Sequence, residues 1–311
     1  MAQNTVAAPA QTKPKKQKPS QFSGMSKALV RRETISAYLF LLPSLIFFVS
    51  FVVVPMFICV VYSFLDYDLG GVKGFAGFDN YIKLFQDPVF HRGFLNTVLI
   101  VVVAVPTVTA FSLWVSSAIY KMHPLPRSFF RCVFYLPVVT GSVAITVVWK
   151  WILHPYYGLL NQVAGTGTFD WLGNQHTAIW FIILILFTTS IGQPIVLYVA
   201  ALGNVDQSLV EAAQVDGATK LQVFWKIKWP QIMPTTLYVL VITTINSFQC
   251  FALIQLLTKG GPLNSTMTIM YQVYDTAYRL NDLGYANAIG VVLAIIIAIF
   301  SAVQFKLAKT E

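Results

Sequence analysis

Charge is what this chain has least of. Only 11% of its 311 residues are Asp, Glu, Lys or Arg, against about a quarter in soluble globular domains. With 56% hydrophobic residues, that shortage argues against water-soluble domains and for a single polytopic membrane domain. Cysteine is nearly absent. Cys59, Cys132 and Cys250 lie in or beside apolar runs at unrelated spacings, so they offer neither a disulfide framework nor a thiolate metal site. Histidine is as sparse: His91, His123, His154 and His176 are scattered, without Ser-His-Asp or metal-ligand spacing. Neither a catalytic constellation nor a metal site is expected. A phosphate loop is missing too, because "GGVKG" (70–74) lacks its spacing and its Lys-Ser/Thr ending. The net charge of +9 is no nucleic-acid footprint, since seven of the 21 basic residues precede residue 33, around "KPKKQKP". Residues 1–34 have the composition of a disordered basic tail. No apolar core and small-residue cleavage site follow in signal-peptide order.

Apolar runs, by contrast, are plentiful. A spanning helix needs about 20 mostly apolar residues. Six stretches qualify, at about 36–64, 94–120, 132–149, 177–202, 234–257 and 285–305. The predicted class is therefore all-α, a six-span membrane domain over 35–306 with a short tail at 307–311. With the N-terminus inside, fifteen of the 21 basic residues fall on inner segments. The positive-inside rule then places both termini in the cytoplasm. Tyr62, Trp114, Trp149, Trp151, Trp171 and Trp180 lie near span ends, as in an interfacial aromatic belt.

None of the six cores contains Asp, Glu, Lys, Arg or His. Ion-coupled carriers place titratable groups inside the bundle, so this absence counts against one. Uncharged polar groups are present instead, most densely in the fifth run. Thr243, Asn246, Ser247 and Cys250 recur at i, i+3, i+4 and i+7 on one helical face, with Gln249 on its flank. Such a stripe suits an uncharged, hydroxyl-rich solute. A polar seam between packed helices is the alternative.

The segment between the fourth and fifth runs (about 203–232) is not explained by lipid. It reads "EAAQVDGATKLQVFWKIKWP" over 211–230. Asp206 and Ser208 are N-cap types, and Ser208 to Glu211 fits a capping box. Ala212 and Ala213 add no bulk, and Asp216-Gly217 breaks the helix. A second helix is predicted over about 219–227, with Leu221, Phe224 and Ile227 on one face. Pro230 and Pro234 then set the entry into the fifth span.

These residues carry a resemblance. Glu211-Ala212-Ala213, then Gly217, Ile227 and Pro230, are spaced as in the EAA loop of ABC importer permeases. "LIQLLTKGGPLNSTMTIMYQVYDTAY" (253–278) resembles the Leu-Thr-x-Gly-Gly-Pro segment of one of the two permease subunits of sugar importers, the maltose and glycerol-3-phosphate type. The likeness covers about 35–305. Two positions depart from the pattern: Trp229 stands where Leu is usual, and Val205-Asp206 where Ile-Pro often precedes the Glu.

The resemblance implies a type I importer permease whose cytoplasmic helix-Gly-helix coupling loop docks on one of two ATP-binding subunits. Glu211 would pair with a basic residue there. Ala212, Ala213, Asp216 and Gly217 would allow close approach, Phe224 and Ile227 would be buried, and Pro230 would end the motif. It implies a second homologous permease, an extracytoplasmic solute-binding protein, and location in a prokaryotic plasma or inner membrane. The chain itself would bind no cofactor; ATP and Mg would sit at the ATPase partners. The solute path would be lined by Thr243, Asn246, Ser247, Gln249 and Cys250, and by Gly192, Gln193 and Ile195 around a Gly-x-Pro in the fourth span. The expected cargo is a sugar, oligosaccharide or sugar-like polyol, with a non-sugar solute as the rival.

Overall fold

The computed structural model describes residues 27–308, with side chains from 31 to 307. Residues 1–26 of the disordered tail expected over 1–34, and the last residues of the C-terminal tail, lie outside these. Residues 27–34 are helical, so helix begins earlier than the sequence reading placed it. The chain forms two compact units that divide between Phe57 and Ile58.

The first unit is helical. Helix α1 (Lys27–Phe48) passes through a π-helical turn (Val49–Val53) into α2 (Val54–Tyr62). The whole run from Arg31 to Tyr62 is long and apolar enough to cross a membrane, and none of its most apolar stretch is buried. Phe40, Leu45, Phe47 and Phe51 are among its exposed side chains.

The second unit opens with a β-hairpin, β1 (Leu65–Asp68) against β2 (Gly71–Phe75), antiparallel and with a register shift between Asp66 and Tyr67. An all-α class did not foresee it. Its turn is local chemistry: Asp68 Oδ1 accepts from Gly70 N at 2.8 Å, and Lys73 pairs with Asp68 at 2.6 Å. There follow α3 (Asp79–Gln86), α4 (Pro88–Ile119), α5 (Pro124–Val139), α6 (Ser142–Ile152), α7 (Leu159–Ala164), α8 (Ala178–Ser190) and α9 (Gly192–Gly203). After these come α10 (Gln207–Val215), α11 (Lys220–Val223), a second π-helical turn (Phe224–Lys228), α12 (Trp229–Phe248), α13 (Ala252–Leu257), α14 (Ile269–Tyr278) and α15 (Leu283–Ala308).

Four helical runs are long and apolar enough to cross a membrane: 31–62, 88–119, 220–257 (interrupted at 249–251) and 283–307. Two bent pairs raise the number to six if each is one span. They are α5 with α6, bent by 97°, and α8 with α9, bent by 42°. The third predicted run is thus not one straight helix. Thr140 and Gly141 leave helical geometry, with ψ of 124° and 143°. α5 also starts earlier than expected and carries Arg127 and Arg131, while α6 has Lys150 in its last turn. In the fourth run Pro194 lacks the N–H that Ser190 O would accept, and the bend falls there. Both π turns lie just upstream of a proline, Pro55 and Pro230. Val54 N donates to Val49 O, and Trp229 N to Phe224 O, so the carbonyls are re-paired one residue further along.

The longest helix, α4, is the axis of the second unit. Asp87 caps it by accepting from Val89 N at 2.8 Å, and Pro88 occupies its first turn, both start signals. Ile100 and Ala104 pack with Ile182, Ile185 and Ile254. Val101 and Val105 pack with Phe248, Ile289 and Leu293. Val108 and Val115 pack with Ile195 and Val199. Ser112 and Ser116 donate to Ile191 O and Ile195 O at 3.3 and 3.0 Å, a small-residue polar seam of the kind that joins membrane helices.

The two ends of α4 hold different things. At the Pro88 end, Asp87 Oδ2 accepts from Gln272 Nε2 (2.9 Å) and Tyr285 OH (2.7 Å). Asn96 Nδ2 donates to Asn264 O (3.2 Å) and Met267 O (2.9 Å), and Thr97 Oγ1 accepts from Ile269 N (3.0 Å). At the Ile119 end, Tyr120 OH accepts from Lys228 Nζ. A helix of 32 residues is about 48 Å long, more than the ~30 Å hydrocarbon layer. The segment 258–282 and the segment 207–228 therefore belong to opposite faces of any membrane that α4 crosses.

Candidate functional site

The loop 207–228 is built from local devices. Asp206 caps α10, accepting from Ser208 Oγ (2.7 Å) and Ser208 N (2.9 Å). Those bonds hold its carboxyl below the usual carboxylate range. The cap is therefore Asp206, and the expected Ser208–Glu211 box does not form; Glu211 is exposed, with no bond to Ser208. At the other end Gly217 has φ +82°. Gly217 N donates to Gln214 O (3.1 Å) and Ala218 N to Ala213 O (2.9 Å), the paired bonds of a Schellman C-cap. Only a residue without Cβ takes that φ at little cost. The capping box belongs to α11, where Thr219 and Gln222 cap each other.

The loop is anchored through few side chains. Val210 and Val223 are buried, while Phe224 and Ile227 are half-buried. Leu221, expected beside them, is 68% exposed, as is much of Leu209, Val215 and Trp225. Glu211, Ala212, Asp216 and Gly217 are exposed and Ala213 is half-buried. The second short helix does not stop at Pro230. It runs through the π turn into α12, with Pro230 in that helix's first turn. α11, the π turn and α12 therefore follow one another without a break, and Lys228 links the same place to α4.

The predicted solute stripe divides. α12 ends at Phe248, and residues 249–251 leave helical geometry before α13. Helical periodicity therefore does not extend to Cys250. Asn246, Gln249 and Cys250 line a cleft of about 310 Å³ with Thr140, Ser142 and Thr189. Thr243 and Ser247 are buried in helix packing instead. Ile195 is fully buried against α4. Gly192 is a packing glycine: a Cβ there would lie 2.5 Å from Phe134 O and 2.7 Å from Val138 Cγ2. Gln193 is exposed and lines a separate groove of about 580 Å³ with Ser128, Arg131 and Tyr135.

Sequence reasoning missed Thr140, Ser142 and Thr189, which the bends at 140–141 and 191 bring to the cleft. The cleft at Gln249 holds no Asp, Glu, Lys, Arg or His, so it can only donate and accept neutral hydrogen bonds. No group of acids, cysteines and histidines able to hold a metal occurs among the described residues.

Residues 23–310 match the family model described as binding-protein-dependent transport system inner membrane component. The probable ABC transporter permease protein YurN of Bacillus subtilis is 34% identical over 91% of this chain and 99% of its own length. The multiple sugar-binding transport system permease protein MsmF of Streptococcus mutans is 31% identical, over 87% of this chain and 94% of its own. Among solved structures, a bacterial ABC transporter involved in the import of the acidic polysaccharide alginate contains a chain with the same fold. Its TM-score is 0.79 at 23% identity, with 91% of this chain and 98% of that chain covered. The chain belongs to the family of inner membrane components of binding-protein-dependent transport systems.

Proposed function

We propose that the chain is a six-span permease subunit forming half of the translocation pathway of an ATP-driven importer for a sugar, oligosaccharide or sugar-like polyol. Each bent helix pair then counts as one span, both termini are cytoplasmic, and the loop 207–228 faces the cytoplasm. There its exposed Glu211, Ala212 and Gly217 meet an ATP-binding subunit, which binds and hydrolyses ATP with Mg. A second permease completes the pathway, and a solute-binding protein delivers cargo on the opposite face. The exposed apolar helix 31–57 rests against lipid or the second permease. The system lies in a prokaryotic plasma or inner membrane.

The observation that carries the cargo class is the cleft at Gln249, walled by Asn246, Gln249, Thr140, Ser142 and Thr189 with no Asp, Glu, Lys, Arg or His. An amino acid or an oxyanion would leave its charge without a counter-charge there, at a cost of several kcal/mol in a low-dielectric site. A sugar presents neutral hydroxyls that match amides and hydroxyls. The name of MsmF supports the same class.

The test is uptake by proteoliposomes holding this chain with its second permease, ATP-binding subunits and binding protein. Radiolabelled glucose, maltose, maltotriose, N-acetylglucosamine, chitobiose, chitotriose, glutamate and sulfate are supplied one at a time. ATP-dependent entry of one sugar series, with none of glutamate or sulfate, is expected. Entry of glutamate or sulfate alone overturns the sugar reading.

A further inference from the structure

Four aromatic rings run together along α14 and the break before α13. Phe251 and Tyr274 have centroids 5.0 Å apart, Tyr274 and Tyr278 5.1 Å, and Tyr271 stands 6.2 Å behind Tyr274. Their exposure is graded: Tyr271 is buried, Phe251 and Tyr274 half-buried, and Tyr278 74% exposed. Phe251, Tyr274 and Tyr278 line one cleft of about 340 Å³ together with Asn287. Phe251 is also a wall of the cleft that holds Asn246 and Gln249. The two clefts adjoin through this one ring, and each falls within the size range of small-molecule sites.

We propose that Phe251, Tyr274 and Tyr278 form a stacking track that receives the successive pyranose rings of an oligosaccharide on their way to the Asn246–Gln249 cleft. The inference rests on the sugar reading above. A pyranose has a C–H face and a hydroxyl edge. The C–H face carries partial positive charge and is attracted to the negative face of an aromatic ring. The hydroxyl edge needs polar partners, and Asn287 lines the same cleft as the rings. One helical turn holds the Asp275–Arg279 pair at 2.6 Å, with the Arg side chain 64% exposed.

Packing alone accounts for Tyr271 but not for Tyr278, which is mostly uncovered. Lipid contact alone does not account for an ion pair on the same turn, and α14 has only 10 residues, too few to span a bilayer. The track also lies on the side where the proposed importer takes up cargo, because α14 is tied to the Pro88 end of α4 by Gln272 and Ile269.

The complete importer in proteoliposomes tests this with the same glucose-to-maltotriose and N-acetylglucosamine-to-chitotriose series. Tyr274→Ala and Tyr278→Ala are each expected to lower trisaccharide uptake about three- to tenfold, the loss of one stacking contact. Single-ring sugars should lose less than about twofold on the same scale. Tyr274→Phe and Tyr278→Phe should keep wild-type uptake, and solute-free ATP hydrolysis should not change. If Tyr274→Ala does not assemble, Tyr278→Ala, at a mostly exposed ring, decides alone. Unchanged trisaccharide uptake, or equal loss for one and three rings, overturns the track while the sugar reading stands. A wild type that takes up only single-ring sugars overturns the track as well. One that takes up no sugar overturns both.

Discussion

Residues 207–228 and 258–282 sit at opposite ends of α4 and are held in place by different means. The first is closed mostly by local bonds, with Lys228 as its tie to α4 through Tyr120 OH. Asp206 caps its first helix, Gly217 closes that helix, and Thr219 with Gln222 starts the next. Every one of those capping bonds joins residues at most five apart in sequence. The second depends on the bundle. Asn96 holds Asn264 and Met267, Thr97 holds Ile269, and Asp87 holds Gln272 and Tyr285, all across more than 165 residues. A segment with its own bonds and an exposed outer face can move as a body when a partner pushes it. A segment pinned to α4 moves only as α4 moves. The contrast fits a device that is driven at one end and shapes a pathway at the other.

The largest way to break this contrast is at the pinned end. Asp87→Ala removes the α4 cap and both long-range partners at once. Hydrogen bonds to a charged group contribute about 1.5–3 kcal/mol each, so a loss of roughly 3 kcal/mol or more is expected. It should register as a clear fall in the Tm of the purified chain in detergent and as poor assembly with partners. Asn96→Leu comes next. It leaves Met267 O without a donor next to α4, while Asn264 O keeps its bond from Met267 N, at about 1–3 kcal/mol. Its Tm should fall while the loop 207–228 keeps its native amide protection in hydrogen exchange. If that loop loosens as much as 258–282, the two segments are not independent.

At the locally bonded end the expected signature is reversed. Gly217→Val puts a β-branched residue at φ +82°, a strain of roughly 1–2 kcal/mol confined to the turn. The Tm should stay near wild type, but solute-stimulated ATP hydrolysis should fall by tenfold or more, on the order expected when a docking shape is lost. Glu211→Lys should uncouple in the same way with less effect on the turn. Full coupling in both variants would sink the docking role of the loop.

Much of this contrast is visible in the sequence, for a physical reason. The loop is made of local bonds, and local bonds leave local signals: Asp206, Gly217 and the change from apolar to polar residues. Long apolar runs are equally legible, since membrane length demands them. What escaped was set by distant partners. The 97° bend at Thr140–Gly141 carries no signal stronger than a single glycine. Thr243 and Ser247 share a periodic face with Asn246, yet packing buries the first two and exposes the third. The rings of Phe251, Tyr274 and Tyr278 meet across the break, where Thr268 Oγ1 donates to Cys250 O (3.2 Å). The motif suggests a capping box at Ser208 because it ignores which residue already holds the helix start. Asp206, two residues earlier, had taken that role.

The finest probe of the contrast is Thr219→Ala. Thr219 Oγ1 accepts from Gln222 N at 3.3 Å, and Gln222 Oε1 accepts from Thr219 N at 2.8 Å. Removing the hydroxyl deletes one arm of the box and costs about 1 kcal/mol of local helix stability. A cost of that size should speed amide exchange at residues 220–223 roughly fivefold. It should not reach the bundle, because the box bonds nothing beyond Gln222. If the bundle's Tm falls in step with that exchange, α11 is stabilised by α12 rather than by its own cap. The loop would then be an extension of the fifth span, and a push from an ATP-binding subunit would act on α12 directly instead of through a separately stable element.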